Sequence, residues 1–245
     1  MTVYVVIPAH NEAANISPVI ESIRQQLSSA SLNFVIMLVD DGSNDETVSL
    51  VLGLSHQEQI QIVRNSRRLG VAQTFQRGLQ RAVELSVTED DLLLIMEADG
   101  TSDPMLIRGM VSALNSHEIV IASRFIRGGG MRGFSYLRAA CSKFVNQLLR
   151  IFIPLYSVTD YTIFYRGYRL SLIKKAFTDY NGFLFSFRGF EANTELLFIL
   201  SRYNVKIKEI PLVYDYSLRK SKSKMPVIRT IYNYIVLMVK TKMCH

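Results

Sequence analysis

The chain has 245 residues, of which 49% are hydrophobic and 20% are charged. This composition excludes a collagen-like or disordered chain and a small disulfide-stabilised module, and it allows one domain with a full hydrophobic core. The two cysteines, Cys141 and Cys244, lack the spacing of a zinc site or a disulfide framework, which favours a reducing compartment. The first residues lack the charged and apolar regions of a signal peptide, so we expect a cytoplasmic protein.

The net charge of +7 is distributed unevenly along the sequence. Residues 1–123 carry a net charge of −8, residues 124–215 carry +8, and residues 216–245 carry +7 without any acidic residue. An acidic half and a basic half together favour a site that combines a cation with phosphates, and a basic tail suits an anionic membrane surface. Aromatic and basic residues do not alternate as they do in RNA-reading motifs, so we expect no nucleic-acid partner.

Strand and helix patterns alternate through the first half of the sequence. Five short aliphatic segments predict buried parallel strands at Val3–Ile7, Phe34–Val39, Ile60–Val63, Leu92–Met96 and Ile119–Ala122. Segments of helical periodicity lie between them at Asn15–Leu27, Asp45–Leu54, Val71–Ser86 and Met105–Leu114. The alternation predicts an α/β fold with a mostly parallel central sheet flanked by helices. Ligands of such sheets bind beyond the carboxyl ends of the strands.

After Ser123 this alternation stops. The patterns predict a helix at Tyr136–Phe152, a short irregular segment at Asp160–Arg169, a helix at Phe190–Tyr203 and a strand at Val205–Val213. Because no linker or repeat interrupts the sequence, residues 1–225 are interpreted as a single domain. The change at residue 124 is interpreted as a boundary of function.

The C-terminal segment, residues 226–245, has the pattern of a basic amphipathic helix. Its longest uncharged run, Thr230–Val239, is well short of the roughly 20 residues that span a bilayer. Val227, Ile231, Ile235 and Met238 fall on one helical face. That face could pack on the core or lie on lipid, and the uncompensated positive charge favours an anionic membrane surface.

Polar residues follow three of the predicted strands. Glu97-Ala98-Asp99 follows the strand at Leu92–Met96, and its two carboxylates could bind Mg²⁺ or Mn²⁺ together with a diphosphate. Asp40-Asp41 follows the second strand, and Pro8–Glu12 follows the first. Since parallel strands end at the same edge of a sheet, all three segments are candidates for one site.

Together these segments resemble a known family. Ile7–Glu12, Val39–Asp45, Leu69–Ala72, Glu97–Asp99 and Ser123-Arg124 are similar to the motifs of inverting family 2 glycosyltransferases, which have the GT-A nucleotide-sugar-binding fold. Within that family, the chain resembles dolichol-phosphate mannose synthases and bacterial polyprenyl-phosphate glycosyltransferases from Val3 to about Met225. Two departures are Glu97, where the family usually has Asp, and Thr101, where mannose synthases have Gln.

The resemblance implies roles for individual residues. The residues implied to bind the nucleotide sugar are Pro8, Ala9, Glu12, Asp40, Asp41, Gly70 and Ala98, and those implied to bind Mg²⁺ or Mn²⁺ are Glu97 and Asp99. The residues implied to bind the acceptor phosphate are Ser123, Arg124, Arg138, Ser142, Arg219, Ser223 and Lys224. Asp99, Arg124, Arg138 and Arg219 would be the catalytic residues. Arg138 and Ser142 are four residues apart, which places them on one helical face.

The resemblance also implies a reaction. A hexose, with mannose and glucose favoured, would pass from a nucleotide diphosphate sugar such as GDP-mannose or UDP-glucose to a polyprenyl or dolichyl phosphate, with inversion. Residues 1–123 would be the nucleotide-sugar half and residues 124–225 the acceptor half. The enzyme would be peripheral on the cytoplasmic face of a membrane, and any movement of the product across it would need a separate membrane partner.

Two other functions are compatible with the sequence. A glycosyltransferase with a saccharide hydroxyl as acceptor, in polysaccharide or glycolipid synthesis, would need a carboxylate base, for which Asp160, Glu191 and Glu195 are candidates. A catalytically silent protein that binds a nucleotide sugar or a lipid is the other alternative.

Overall fold

The computed structural model describes residues 1–155, 157–220 and 227–243. The strands in these ranges are β1 (Thr2–Ala9), β2 (Asn33–Asp40), β3 (Ile60–Arg64), β4 (Leu92–Ile95), β5 (Ile119–Ser123), β6 (Gly130–Arg132), β7 (Arg166–Arg169), β8 (Ile207–Pro211) and β9 (Val213–Asp215). The α-helices are α1 (Ile16–Ser29), α2 (Thr47–Leu52), α3 (Val71–Leu85), α4 (Ile107–Leu114), α5 (Tyr136–Phe152), α6 (Leu170–Asp179), α7 (Ala192–Ser201) and α8 (Val227–Met243).

A seven-stranded sheet with the order β3-β2-β1-β4-β7-β5-β8 forms the centre of the molecule. The strands from β3 to β4 are parallel, and β5 is parallel to β8. Strand β7 runs antiparallel to both of its neighbours, while β6 and β9 form a separate parallel pair. The expected α/β architecture with a mostly parallel sheet is therefore confirmed, and β1, β2 and β4 end at the same edge.

The apolar strand residues form the core beneath that edge. Val3, Val5, Val6 and Ile7 of β1 are fully buried, since helices cover both faces of the central strands. Helix α3 lies very close to this strand at Gly78, where an added Cβ would be 2.5 Å from Cγ1 of Val6. The glycine therefore sets the distance between α3 and the sheet.

Strand β7 differs from the expectation of an irregular segment at Asp160–Arg169. Arg166 is fully buried, and its guanidinium donates hydrogen bonds to the carbonyl oxygens of Tyr161 at 2.6 Å and Asn193 at 2.7 Å. These bonds satisfy both Nη atoms of a charged side chain inside the fold, while its Nε has no hydrogen-bond partner among the described residues. A segment with two arginines and a glycine has no apolar run, which is why the sequence pattern did not reveal a central strand. Helix α6 and strand β6 were also not anticipated, and the single strand expected at Val205–Val213 is two strands, β8 and β9.

The C-terminal helix α8 packs on the core with one face. Tyr234, Leu237 and Met238 are buried, whereas Ile235 is exposed. The face that was expected to contact lipid is thus partly buried: Met238 packs on the core, as the alternative expected, whereas Ile235 is exposed. None of the described helices combines the length and apolar character needed to cross a bilayer. The domain boundaries at residues 123 and 225 stay predictions.

Asp91 joins three parts of the chain just before β4. Its buried carboxylate accepts hydrogen bonds from the Thr2 amide at 2.7 Å, the Ser86 hydroxyl at 2.8 Å, the Val87 amide at 3.0 Å, and the Thr88 hydroxyl and amide at 2.8 and 3.1 Å. Burial alone would raise the pKa of Asp91, but the hydrogen bonds from Thr88, Thr2 and Ser86 outweigh it and hold that pKa below its ordinary value.

We expect Asp91→Ala to lower the free energy of unfolding by about 2 to 4 kcal/mol at neutral pH, because several buried donors lose a charged acceptor. A carboxylate with a lowered folded pKa stabilises the fold above its unfolded pKa, about 3.9, and this contribution is lost as the pH falls through the folded value. The difference from wild type in urea unfolding should therefore shrink in acid. Asp90→Ala, at an exposed neighbour, is the control. Equal stability of the two variants at neutral pH would contradict this role.

Candidate active site

A cleft of about 290 Å³ opens at the edge where β1, β2 and β4 end, and both halves of the sequence line it. The predicted site residues that line it are Pro8, Ala9, Glu12, Asp41, Gly70, Glu97, Ala98, Asp99, Arg124, Arg138, Ser142 and Arg219. The structure therefore brings the acidic strand ends and the three arginines into one cavity.

Asp41 shapes the end of the cleft near β1 and β2. Its carboxylate accepts hydrogen bonds from the Leu69 amide at 2.7 Å, the Gly70 amide at 3.0 Å and the Asn65 side-chain amide at 3.0 Å. Gly70 has a φ of +95° and directly precedes α3, a conformation that disfavours other residues. Asp41 thus holds the loop that begins α3 against the cleft.

Glu97 and Asp99 lie side by side in the cleft after β4. The Ser102 hydroxyl donates a hydrogen bond to Glu97 Oε2, and the Thr101 hydroxyl donates to Asp99 Oδ1 at 2.5 Å. Burial, and then the charge of Asp99, raise the pKa of Glu97 to about 7, although the Ser102 hydrogen bond opposes this change. Glu97 is therefore a buried carboxyl group whose charged form is disfavoured in this protein without a bound cation.

Arg219 connects this acidic pair to the later part of the chain. Its Nη1 lies 3.1 Å from Asp99 Oδ2, and both side chains are largely buried. The guanidinium also lies 5.8 Å from the ring centroid of Tyr216. Asp99 is therefore held from two sides, by Thr101 and by Arg219.

Arg138 projects from α5 onto a cluster of aromatic rings. Its Nη1 donates a 2.7 Å hydrogen bond to the Tyr216 hydroxyl, and its guanidinium lies 4.5 Å from the centroid of that ring and 5.6 Å from the centroid of Phe134. Cation–π contacts of this kind hold a guanidinium without neutralising it. Tyr216 and Phe134 therefore fix the position of the Arg138 guanidinium at the cleft.

Arg124 is paired with Asp160. Its Nε and Nη2 each donate to that carboxylate at 2.7 Å, and Nη2 also donates to the Thr162 hydroxyl at 2.8 Å. Burial opposes both charges, but their attraction prevails, so the pKa of Asp160 is lowered and the pKa of Arg124 is raised. A guanidinium with two bonds to one carboxylate is fixed in orientation. Arg124 thus presents a fixed edge to the cleft.

The carboxylates of Glu97 and Asp99 are suited to a divalent cation whose coordination shell is completed by other ligands. Among the described residues, no group of three or more His, Cys, Asp or Glu side chains is arranged to hold a metal. Mg²⁺ and similar ions commonly bind one or two carboxylates together with substrate phosphates and water. Glu97 and Asp99 fit this pattern, because both carboxylates line the cleft and the hydroxyl groups of Ser102 and Thr101 orient their oxygens.

Asp40 and Ser123 are not among the residues that line the cleft, and their predicted roles stay predictions. Asp40 is fully buried, accepts a hydrogen bond from the Ser43 amide at 3.1 Å and pairs with Arg64 at 3.3 Å. Ser123 is fully buried, and its hydroxyl lies 3.1 Å from that of Thr159. Both support neighbouring segments. Ser223 and Lys224 lie outside the described residues.

The three carboxylates considered as a general base have other partners. Asp160 is paired with Arg124, and Glu195 accepts hydrogen bonds from the Ser186 amide at 3.0 and 3.1 Å. Glu191 is 1% exposed and accepts from the Asn233 side chain at 2.7 Å. None of the three is among the described residues that line the cleft.

The residues that sequence reasoning missed are mainly aromatic. The ring centroid of Phe134 lies 5.6 Å from that of Tyr214 and 5.1 Å from that of Tyr216. The guanidinium carbon of Arg124 lies 5.8 Å from the Tyr214 centroid. We call Phe134, Tyr214 and Tyr216 the aromatic cluster. The two tyrosines, five and three residues before Arg219, were a usable signal, whereas no pattern connects Phe134 to them.

Comparison with known proteins gives relatives that match most of this chain. The dolichol-phosphate mannosyltransferase of Pyrococcus furiosus is 27% identical over 96% of this chain and 62% of its own length. The polyprenol monophosphomannose synthase of Mycolicibacterium smegmatis is 26% identical over 70% of this chain and 63% of its own length. The matches thus span a little over three fifths of these two relatives.

The fold also matches solved structures. Glucosyl-3-phosphoglycerate synthase from Mycobacterium tuberculosis, in complex with Mn²⁺, UDP and glucosyl-3-phosphoglycerate, superposes with a TM-score of 0.67 at 18% identity, over 97% of this chain and 79% of that chain. This likeness confirms the GT-A fold expected from the sequence. Residues 4–177 match the family described as Glycosyl transferase family 2, and the chain therefore belongs to that family.

Proposed function

We propose that the protein transfers a hexose from a nucleotide diphosphate sugar to the phosphate of a polyprenyl or dolichyl lipid, with inversion. The observation that carries this proposal is the cleft that Asp99 and Glu97 line together with Arg219, Arg138 and Arg124. Its carboxylates would suit a diphosphate with its cation, and its guanidinium groups would suit a second phosphate. Mannosyltransferases with lipid phosphate acceptors among the relatives support it.

The reaction is a single displacement at the anomeric carbon of the sugar. An oxygen of the acceptor phosphate forms the new bond while the bond to the nucleoside diphosphate breaks, and the electron pair leaves with the diphosphate. The acceptor phosphate is already an anion at neutral pH, so the cleft does not need to remove a proton. Catalysis then consists of positioning the two reactants and compensating their charges.

The chain's own residues divide these tasks. Glu97 and Asp99 would hold Mg²⁺ or Mn²⁺, which supplies positive charge that stabilises the departing diphosphate. Arg138, held in position by Tyr216, would bind the acceptor phosphate together with Ser142 one helical turn later. Arg219 lies beside Asp99 and could contact both phosphates. Arg124, whose guanidinium is fixed by Asp160, would form the part of the cleft wall between the two phosphates.

The saccharide-hydroxyl alternative has less support. A hydroxyl acceptor needs a carboxylate base within hydrogen-bonding distance of the proton that is removed. Asp160 and Glu195 are engaged with other groups, and Glu191 is buried beside α8. A phosphate acceptor fits a cleft that Arg124, Arg138 and Arg219 line.

We also propose that the protein works as a peripheral enzyme at the cytoplasmic face of a membrane, where its lipid acceptor is located. GDP-mannose and UDP-glucose are the donors to test first, and a separate membrane protein would have to move the product across the bilayer.

The direct test combines the purified chain with Mn²⁺ or Mg²⁺, each donor, and a polyprenyl phosphate in detergent. We expect a glycosylated lipid phosphate and free nucleoside diphosphate in equal amounts, both dependent on the metal. Transfer to a saccharide hydroxyl but not to the lipid phosphate would refute the proposed acceptor. Binding of the nucleotide sugar without transfer to any acceptor would indicate a silent binding protein.

We expect Asp99→Asn to reduce turnover by at least about 100-fold, because charge compensation of a leaving group is worth several kcal/mol in a closed site. Titration calorimetry should also show weaker Mn²⁺ binding in the presence of the nucleoside diphosphate. Asp103→Asn is the matched control, because Asp103 caps a short 3₁₀ turn nearby and does not line the cleft. Near-normal turnover of Asp99→Asn would refute the metal site.

Tyr216 should act as a positioning residue for Arg138. We expect Tyr216→Phe, which removes the hydroxyl but keeps the ring, to raise the acceptor KM by about tenfold, as for loss of a hydrogen bond to a charged group. Tyr216→Leu should raise it further, since the cation–π contact is also lost. The donor KM should stay near the wild-type value in Tyr216→Phe, because the ring that contacts Arg219 is retained.

Tyr180→Phe is the control, because the Tyr180 hydroxyl accepts a hydrogen bond from Arg202 at the surface. Equal changes of the donor and acceptor KM in Tyr216→Phe would point to a general structural role.

A further inference from the structure

Glu209, in the edge strand β8, is connected to the cleft through other residues. Its backbone pairs with Ile121 of β5, and its side chain is not among the described residues that line the cleft. The Glu209 carboxylate accepts hydrogen bonds from the amides of Thr159 and Asp160, each at 2.8 Å, and from the Thr159 hydroxyl at 2.6 Å. One carboxylate therefore holds the segment that carries Asp160.

The segment that Glu209 holds is the one that fixes Arg124. The Asp160 carboxylate accepts hydrogen bonds from Nε and Nη2 of Arg124 at 2.7 Å each and from the Arg124 amide at 3.0 Å. The amide of Asp160 in turn donates to Glu209, so hydrogen bonds connect Glu209 through Asp160 to the guanidinium in the cleft. A shift of Asp160 would therefore move both the backbone and the side chain of Arg124.

The residue before Arg124 is connected to the same carboxylate. The Thr159 hydroxyl has a single proton, which it donates to Glu209. The Ser123 hydroxyl therefore donates the 3.1 Å hydrogen bond that joins it to the Thr159 hydroxyl. Glu209 thus supports two consecutive residues at the end of β5, Ser123 through Thr159 and Arg124 through Asp160.

We propose that Glu209 is a positioning residue of the active site, which acts through Asp160 to fix the guanidinium of Arg124 between the two substrate phosphates. This inference rests on the proposed function, which gives Arg124 its part in the reaction. Donors that are in place before charge develops cost no reorganisation, and a misplacement of about 1 Å lowers a reaction rate by about 100-fold. A residue outside the cleft therefore controls the rate without touching a substrate.

The three groups that donate to Glu209 are neutral, so the position requires hydrogen-bond geometry rather than charge. A glutamine would accept both amides with its carbonyl oxygen, and its side-chain amide would donate to the Thr159 hydroxyl oxygen. An aspartate would keep the charge, but its carboxylate would fall short of these donors by about 1.5 Å, the length of one carbon–carbon bond. We therefore expect Glu209→Gln to preserve the position of Arg124 and Glu209→Asp to disturb it.

A double-mutant cycle in the transfer assay tests the positioning role. We expect Glu209→Ala to lower kcat by about tenfold, because Arg124 is still present but poorly placed. The second background is Arg124→Gln, which retains a donor for Asp160 but has no charge. There, Glu209→Ala should change kcat by less than about twofold, since the group that Glu209 positions is already absent. An equal loss in both backgrounds would show that Glu209 does not act through Arg124 and would overturn the inference.

Conservative variants and a matched control separate positioning from general stability. We expect Glu209→Gln to have a kcat within about threefold of wild type and Glu209→Asp to resemble Glu209→Ala. The control is Glu118→Ala, because Glu118 accepts a 2.7 Å hydrogen bond from the Lys206 amide at the end of the β5–β8 pair opposite to Arg124. It should lower the free energy of unfolding and leave kcat unchanged.

Circular dichroism and urea unfolding establish which variants are folded. If Glu209→Ala is not folded, the comparison of the two conservative variants decides. A kcat of Glu209→Asp equal to or above that of Glu209→Gln would then overturn the inference.

Amide hydrogen exchange, followed by NMR, tests the positioning without any enzymatic reaction. The Arg124 amide donates to Asp160, so its exchange rate reports whether the Asp160 carboxylate is in place. We expect this rate to rise at least about tenfold in Glu209→Asp and to stay near wild type in Glu209→Gln and Glu118→Ala. If wild type transfers sugar to no acceptor, the proposed function fails, while the exchange rates still decide the positioning. Unchanged exchange at Arg124 in Glu209→Asp would overturn the inference even in an active enzyme.

Discussion

The contact between Arg219 and Asp99 joins the two oppositely charged parts of the chain. Asp99 follows β4 in the acidic half, whereas Arg219 comes from the segment after β9, and their charged atoms are 3.1 Å apart in a largely buried position. Neither charge could be buried alone without a large desolvation cost. The loop after β4 and the segment after β9 therefore hold each other in position at the cleft.

The same requirement explains how the guanidinium groups of Arg124, Arg138 and Arg219 share one small cleft. Like charges in a site of low polarity repel strongly, so each needs its own compensation. Arg124 has a carboxylate, Asp160, and Arg219 has Asp99. Arg138 instead has aromatic faces and the Tyr216 hydroxyl. Each of these three guanidinium groups is thus held in the cleft by a different set of described contacts.

The sequence was sufficient for the part of the site that local pattern determines. The carboxyl ends of β1, β2 and β4 could be located because apolar runs end in Glu12, Asp41 and Asp99, and all three line the cleft. Asp40 and Ser123 also end strands but do not line the cleft, because successive side chains of a strand point to opposite sides. The sequence pattern shows that a polar residue ends a strand. Whether its side chain enters the cleft depends on the local backbone conformation.

The partners of the arginines lay beyond the reach of sequence, because they depend on strand order. Nothing in the local pattern places Tyr216 beside Arg138, which is 78 residues away, or Asp160 beside Arg124. Their contacts follow from the arrangement of β7, β8 and β9, and β7 itself gave no apolar signal. Residue types alone therefore predicted that arginines would bind phosphate, but not how each would be held.

The unexpected antiparallel strand β7 determines the geometry of the catalytic wall. It lies between β4 and β5 and runs opposite to both, so it begins at the edge where they end. The segment that leads into it must therefore pass between Glu97, after β4, and Arg124, after β5. This segment contains Asp160, which fixes Arg124, and Thr162, which lines the cleft and accepts a hydrogen bond from it. A parallel strand at this place would begin at the opposite edge of the sheet and leave Arg124 without these partners. The strand that breaks the parallel pattern is thus what allows the buried Arg124 to lie in the same cleft as Glu97 and Asp99.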